Sequence, residues 1–101
     1  MDKIYITLTG TQHYHGKYFL ETGMKVTLEK EPDNKYDKEA IVVKYKGFKI
    51  GYVANSVHTV LDGTVSAGRI YDRIGKKAKA KVWFVSGHGV ICKIGKKWLK
   101  K

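Results

Sequence analysis

The stretch Asp33-Asn34-Lys35-Tyr36-Asp37-Lys38-Glu39-Ala40-Ile41, answered downstream by Gly47-Phe48-Lys49-Ile50-Gly51-Tyr52-Val53, organises this chain. Asp and Asn side chains bond their own backbone in turns, so the first half reads as a polar loop that presents its side chains outward. It runs directly into a strand, with Ile41, Val43 and Tyr45 pointing one way and Ala40, Val42 and Lys44 the other. Lys46-Gly47 turns the chain into Phe48, Ile50 and Tyr52, giving a hairpin with β-branched or aromatic residues in both arms.

Upstream, Ile4, Ile6 and Leu8 alternate with Tyr5, Thr7 and Thr9, the period of a half-buried strand. Gly10 to Gly16 is a glycine-bounded loop carrying His13, Tyr14 and His15, while Tyr18 to Thr22 follows neither period. Met24, Val26 and Leu28 alternate with Lys25, Thr27 and Glu29 as a second strand, which Pro32 ends by withholding a ladder donor. Downstream, Asn55-Ser56 is a capping signal ahead of Val57, Val60 and Leu61, which share a helical face, and Asp62-Gly63 stops that expected two-turn helix. Ile70, Tyr71 and Ile74 suggest a further short helical stripe. Ala78, Ala80, Val82 and Phe84 alternate with Lys79, Lys81, Trp83 and Val85, and Ser86-Gly87-His88-Gly89 turns this strand into Val90 to Ile94. With no internal repeat or low-complexity linker, five or six strands and one or two short helices make a mainly β protein, a small barrel or sandwich.

A chain of 101 residues is expected to form one domain, 1–101, with a basic tail from about residue 95. Its apolar runs are far shorter than the ~20 residues of a membrane-spanning helix, and the first residues lack the continuous apolar core of a secretory signal. Cys92 is the sole cysteine and is read as core filling, so a cytoplasmic setting with no membrane partner is expected. The formal net charge of +11 points to a polyanionic partner. Its distribution is sharper still: residues 76–101 hold nine Lys and no acid, whereas the preceding residues are nearly balanced. Acids normally interleave with surface lysines, so their absence here weighs against a merely solubilising surface.

For chemistry, Glu31, Asp33, Asp37 and Glu39 with His13 and His15 are the candidates for a hydrolytic metal site, but their spacing does not demand one. Ser56 and Ser66 lack a nucleophile elbow, and no glycine-rich phosphate loop precedes a helix. An enzyme is therefore not expected, and neither a metal nor another cofactor. Single-strand binding fits more residues, because it requires lysines along a groove and exposed rings that accept a base on their face. Tyr14, Tyr36, Tyr52 and His13 are those rings, with Tyr36 flanked by charge on both sides. Tyr5 and Tyr45 are assigned instead to the core with hydroxyls at its rim. Lys79 and Lys81, aligned on one strand face, are the lysines proposed for phosphate.

Glu31-Pro32-Asp33-Asn34-Lys35-Tyr36-Asp37-Lys38-Glu39-Ala40-Ile41 followed by Gly47-Phe48-Lys49-Ile50-Gly51-Tyr52-Val53 resembles the HIRAN domain, over about residues 4–94. The resemblance implies an OB-like β-barrel and, from helicase-like eukaryotic members, capture of the 3′ end of single-stranded DNA. By motif, Asp37 would accept a hydrogen bond from the terminal 3′-hydroxyl, Asn34 would help hold that nucleotide, and Tyr36 and Tyr52 with His13 or Tyr14 would enclose the last bases. An ionised carboxylate is acceptor-only, so it matches a hydroxyl and repels a 3′-phosphate. Lys35 and Lys38 stand where the family has proline, Glu39 where it has asparagine, and Gln12 where the end-binding members have arginine. The implied partner is a single-stranded DNA 3′ end, with a helicase or nuclease partner protein supplying any catalysis. The rival expectation is a protein- or RNA-interaction module recruited to a DNA repair or phage-related system.

Overall fold

A computed structural model describes residues 3–14, 16, 19–87 and 89–100. His15, Tyr18 and His88 lie outside the described residues, so the readings that touched them end at the sequence. Six antiparallel strands close into a barrel: β1 (Ile4–Thr9), β2 (Lys25–Lys30), β3 (Ile41–Tyr45), β4 (Phe48–Val53), β5 (Lys77–Ser86) and β6 (Gly89–Ile94). Their order around the wall is β1-β4-β3-β2-β5-β6, and β6 returns to β1. β1 meets β4 at Leu8–Val53 and Thr9–Tyr52, which closes the sheet on itself, the way a small all-β protein limits edge-to-edge pairing.

The period-two residues fill the interior. Ile6, Leu28, Ile41, Ile50, Val82 and Ile94 are at most 1% exposed, one or more from every strand. At about 25 cal/mol per Å² of apolar surface removed from water, such a core supplies most of the driving force for closure. The expected β3–β4 hairpin is present, and Lys46 (φ 48°) and Gly47 (φ 87°) both take left-handed backbone, the requirement of a two-residue turn whose twist matches its strands. Gly51 serves a different need. A Cβ there would lie 2.5 Å from the Thr9 carbonyl oxygen and 2.7 Å from Leu8 Cδ1, so only glycine lets β4 approach β1.

Two expectations are corrected. The helix foreseen from Asn55-Ser56 through Leu61 is a single turn, in which Thr59 and Val60 amides both donate to the Ser56 carbonyl, and Val57 is 90% exposed. The Asn55 amide is drawn to partners outside its own segment and does not cap a helix. The helix instead spans Ala67–Ile70 (α1), where Ser66 Oγ accepts the Arg69 N–H at 3.3 Å. A 3₁₀ turn, Tyr71–Arg73, extends it, and Ile70 and Ile74 of the foreseen stripe are buried.

The second correction concerns β5. Val82 pairs with Cys92 but Phe84 pairs with Ile91, leaving Trp83 as the extra residue of a bulge. The bulge shifts the phase of alternation, so Phe84, expected inside with Ala78, Ala80 and Val82, is 54% exposed. Of the two tyrosines assigned to the core, Tyr45 packs against it, whereas Tyr5 alternates with buried Ile4 and Ile6 and leans on Trp83 at 5.9 Å between ring centroids. Among the described residues, no helix is long and apolar enough to cross a membrane.

Candidate nucleic-acid interface

The loop from Glu31 to Ala40 is pinned at its base by the Glu31 N–H to the Ala40 carbonyl, 2.8 Å. Inside it, Asn34 Oδ1 accepts the backbone N–H of both Tyr36 (2.9 Å) and Asp37 (3.0 Å), an Asx turn that fixes the loop from within. With Lys35 and Lys38 rather than rigid residues in the loop, these side-chain bonds supply its order. Tyr36 is thereby held at the loop crest, 95% exposed. A large ring so displayed covers no core, and leaving it in water is unfavourable unless something else covers it.

Asp37 faces inward from the same loop. Its Oδ1 accepts the Glu39 N–H (2.9 Å) and its Oδ2 accepts from Asn55 Nδ2 (2.9 Å). Each carboxylate oxygen has two acceptor positions, so both retain one for a ligand donor. Asn55 in turn accepts the Gly68 N–H through its Oδ1 (2.8 Å), tying Asp37 to the first turn of α1.

The floor is built from β4. The Tyr52 hydroxyl donates to Glu31 Oε1 (2.7 Å), which also accepts from Asn34 Nδ2 (3.1 Å), while Glu31 Oε2 lies 3.6 Å from Lys49 Nζ. Partial burial alone would raise the Glu31 carboxyl, but the Tyr52 hydroxyl, the Asn34 amide and Lys49 together hold it below the usual carboxylate range. Burial first, and then the Glu31 carboxylate, push the Tyr52 hydroxyl well above its ordinary range, so it remains a protonated donor. The Tyr52 ring meets Tyr14 at 6.4 Å and 44°, a tilted aromatic pair.

These groups surround one cleft of about 580 Å³, which brings together five of the eight residues proposed from sequence: Tyr14, Asn34, Tyr36, Asp37 and Tyr52. His13 lies exposed in the neighbouring 3₁₀ turn, Thr11–His13, and does not line the cleft. Lys79 and Lys81 line a separate groove. Around the barrel, β5 is three strands from β4 in either direction, so these lysines stand on the opposite wall from Tyr52. Sequence reading missed Asn55 and Glu31 as parts of the binding site: Asn55 was taken for a helix cap, and Glu31 was weighed only as a candidate metal ligand. Thr9 and Thr59 line both this cleft and an adjoining depression that includes Gln12 and His58, so the two share a border. Among the described residues, no three His, Cys, Asp or Glu side chains are gathered to hold a metal ion, and Asp33 does not line the cleft with Asp37.

The fold and site define a small closed barrel whose polar loop and ring-lined cleft suit a binding module. The family model of the HIRAN domain matches residues 1–99, and the chain belongs to that family, a family of nucleic-acid-binding modules. Among solved structures, the chain is similar to the HIRAN domain of human HLTF, with 20% identity, a TM-score of 0.61, and coverage of 95% of this chain and 78% of that one. It is also similar to a Lactobacillus plantarum protein from a structural genomics programme, with 19% identity, a TM-score of 0.59, and coverage of 92% and 88%. Both likenesses support the barrel. Comparison with curated proteins finds no match.

Proposed function

We propose that this protein binds single-stranded DNA by a free 3′-hydroxyl end and performs no catalysis of its own. The observation that supports the reading is that Asp37 lines the same cleft as Tyr14, Tyr36 and Tyr52. Held by Asn55 and the Glu39 amide, the Asp37 carboxylate is positioned before any ligand arrives, and its remaining acceptor sites suit a terminal hydroxyl. A 3′-phosphate would meet that carboxylate with like charge. Tyr36 and the Tyr14–Tyr52 pair offer ring faces for the last bases, each stacked base contributing ~1–3 kcal/mol. Asn34 spends its carbonyl on the loop and one amide hydrogen on Glu31, leaving a second amide hydrogen for the nucleotide. Translocation or cleavage of the strand would fall to a helicase or nuclease partner.

The test is fluorescence anisotropy with matched oligonucleotides ending in 3′-hydroxyl or 3′-phosphate, across a salt series, for the wild type and Asp37→Ala. The wild type prefers the hydroxyl end by roughly tenfold, about 1.4 kcal/mol. Asp37→Ala loses that preference while its salt dependence is retained, because the substitution removes no lysine. Equal affinity for both ends, unchanged by the substitution, refutes end reading.

A protein-partner reading draws on another face. Phe19, Tyr45, Phe48 and Ile50 line an apolar groove of about 410 Å³, and Phe48 is 61% exposed. Absence of oligonucleotide binding even at low salt would favour it.

A further inference from the structure

The wall formed by β2, β5 and β6 carries chemistry that the cleft does not use. Strand register sets Lys25 opposite Lys81 and Lys81 opposite Lys93, so three lysines stand in one row across three neighbouring strands. At ~4.8 Å per strand step the row spans roughly 10 Å, and Lys79 continues it ~6.8 Å along β5. Lys3 and Lys97 border the same groove, whose volume is about 690 Å³. Like charges directly opposite on a sheet are destabilising, so this register works against the fold. Acids do not relieve it: among the described residues the ion pairs are Lys44–Glu29 and Lys49–Glu31, and neither includes a lysine of the row. Partial desolvation, followed by the ammonium groups of Lys3 and Lys81, holds the Lys93 amine below its ordinary range, as expected where positive charge is crowded.

The aromatic residues here indicate which polyanion fits. Lys93 Nζ lies 4.0 Å from the Trp83 ring centroid, Trp83 leans on Tyr5, and Lys97 Nζ lies 5.5 Å from the Trp98 centroid. Lys93 and Lys97 each set an ammonium over a tryptophan ring, so one face of Trp83 and one of Trp98 are taken by charge, while Trp83 stays 47% and Phe84 54% exposed. A single strand needs stacking platforms, whereas a duplex has its bases stacked within and presents phosphate outside, one charge per ~1.7 Å of axis. An anionic bilayer would call for apolar side chains projecting beyond the lysines; the row itself projects ammonium groups, and Lys93 Nζ sits over the Trp83 ring at 4.0 Å.

We infer that the β2–β5–β6 wall is a second nucleic-acid site, which takes the phosphate backbone of a duplex without reading its sequence. One molecule then holds a duplex on this wall while the cleft, on the opposite side of the barrel, remains open to a strand end. The inference goes beyond the end-reading proposal and does not depend on it.

The probe is a blunt DNA duplex carrying 3′-phosphates on both strands, which has no free 3′-hydroxyl, measured by anisotropy over a salt series. The triple variant Lys79→Gln, Lys81→Gln, Lys93→Gln lowers the slope of log K against log salt by about 2.7, at ~0.9 per lost phosphate contact, and weakens low-salt affinity by tenfold or more. Its circular dichroism melt stays cooperative. An equal charge loss elsewhere, through Lys35→Gln, Lys38→Gln and Lys46→Gln, leaves the duplex slope nearly unchanged, as does Asp37→Ala. An unchanged slope in the wall variant overturns the inference, and so does an equal fall in the displaced-charge control. Tighter, wall-dependent binding to phosphatidylserine vesicles than to duplex overturns it in favour of a membrane surface.

Discussion

Replacing Glu31 with alanine removes one carboxylate that serves three neighbours, and the structure sets the scale of the loss. The Tyr52 hydroxyl bond at 2.7 Å is charge-assisted, but water reaches this part-buried site, so it contributes about 1 to 1.5 kcal/mol, below the ~1.5–3 of a fully desolvated bond. The Asn34 bond adds ~0.5 kcal/mol and the exposed Lys49 pair no more than that. Together they amount to roughly 2 kcal/mol, which in a domain of this size lowers the melting temperature by about 8–16 °C. The carboxyl also makes the effect depend on pH. Its folded pKa lies below the ordinary 4.5, so its contribution is fully present above that value and is lost as pH falls through the folded pKa. Thermal melts by circular dichroism, from neutral pH down to about pH 3, measure both effects. Glu31→Ala melts lower at neutral pH, and Glu31→Gln, with no charge to lose, declines less steeply than the wild type below pH 4.5. Glu31→Ala also weakens oligonucleotide binding, because Tyr52 and Asn34 lose their common anchor. A Glu31→Ala melting temperature within about 2 °C of the wild type, with parallel acid profiles for Glu31→Gln, refutes this account of the cleft floor.

Asn55→Ala removes the donor to Asp37 Oδ2 and the acceptor for the Gly68 N–H, at a cost of about 1–3 kcal/mol. Discrimination between 3′-hydroxyl and 3′-phosphate oligonucleotides narrows in anisotropy measurements, although Asp37 itself is unchanged. Full discrimination in that variant would show that Asp37 needs no support from Asn55. Cys92 is buried, and burial pushes its thiol up to about 12, so alkylation at mildly alkaline pH proceeds only as the barrel opens. Labelling followed by mass spectrometry tracks the unfolding rate, and rapid modification of the native protein would contradict the closed interior.

The strands were legible because alternation is local. A pleated backbone turns successive side chains to opposite faces, so Ile4-Ile6-Leu8 and Ala78-Ala80-Val82 show a buried face before any partner is known. The Lys46-Gly47 turn is legible for the same reason, since its positive φ values are a property of the turn itself. The loop carrying Asn34, Tyr36 and Asp37 was equally plain, because its Asx turn closes within four residues of chain. Closure decided the rest. Trp83 becomes a bulge only when β5 must match β6, and that mismatch sends Phe84 outward against its own alternation. Asn55 carries a capping residue's chemistry, but the folded chain brings it to Asp37 and Gly68, and those tertiary bonds displace the local cap. The lysines divide in the same way. Composition alone placed a basic segment at the end of the chain, whereas barrel order placed Lys79 and Lys81 on the wall opposite Tyr52 and lined Lys81 up with Lys25 from a strand far away in sequence. Charge and periodicity are sums over neighbours in sequence, while a site depends on which neighbours in space the hydrogen-bonded register selects.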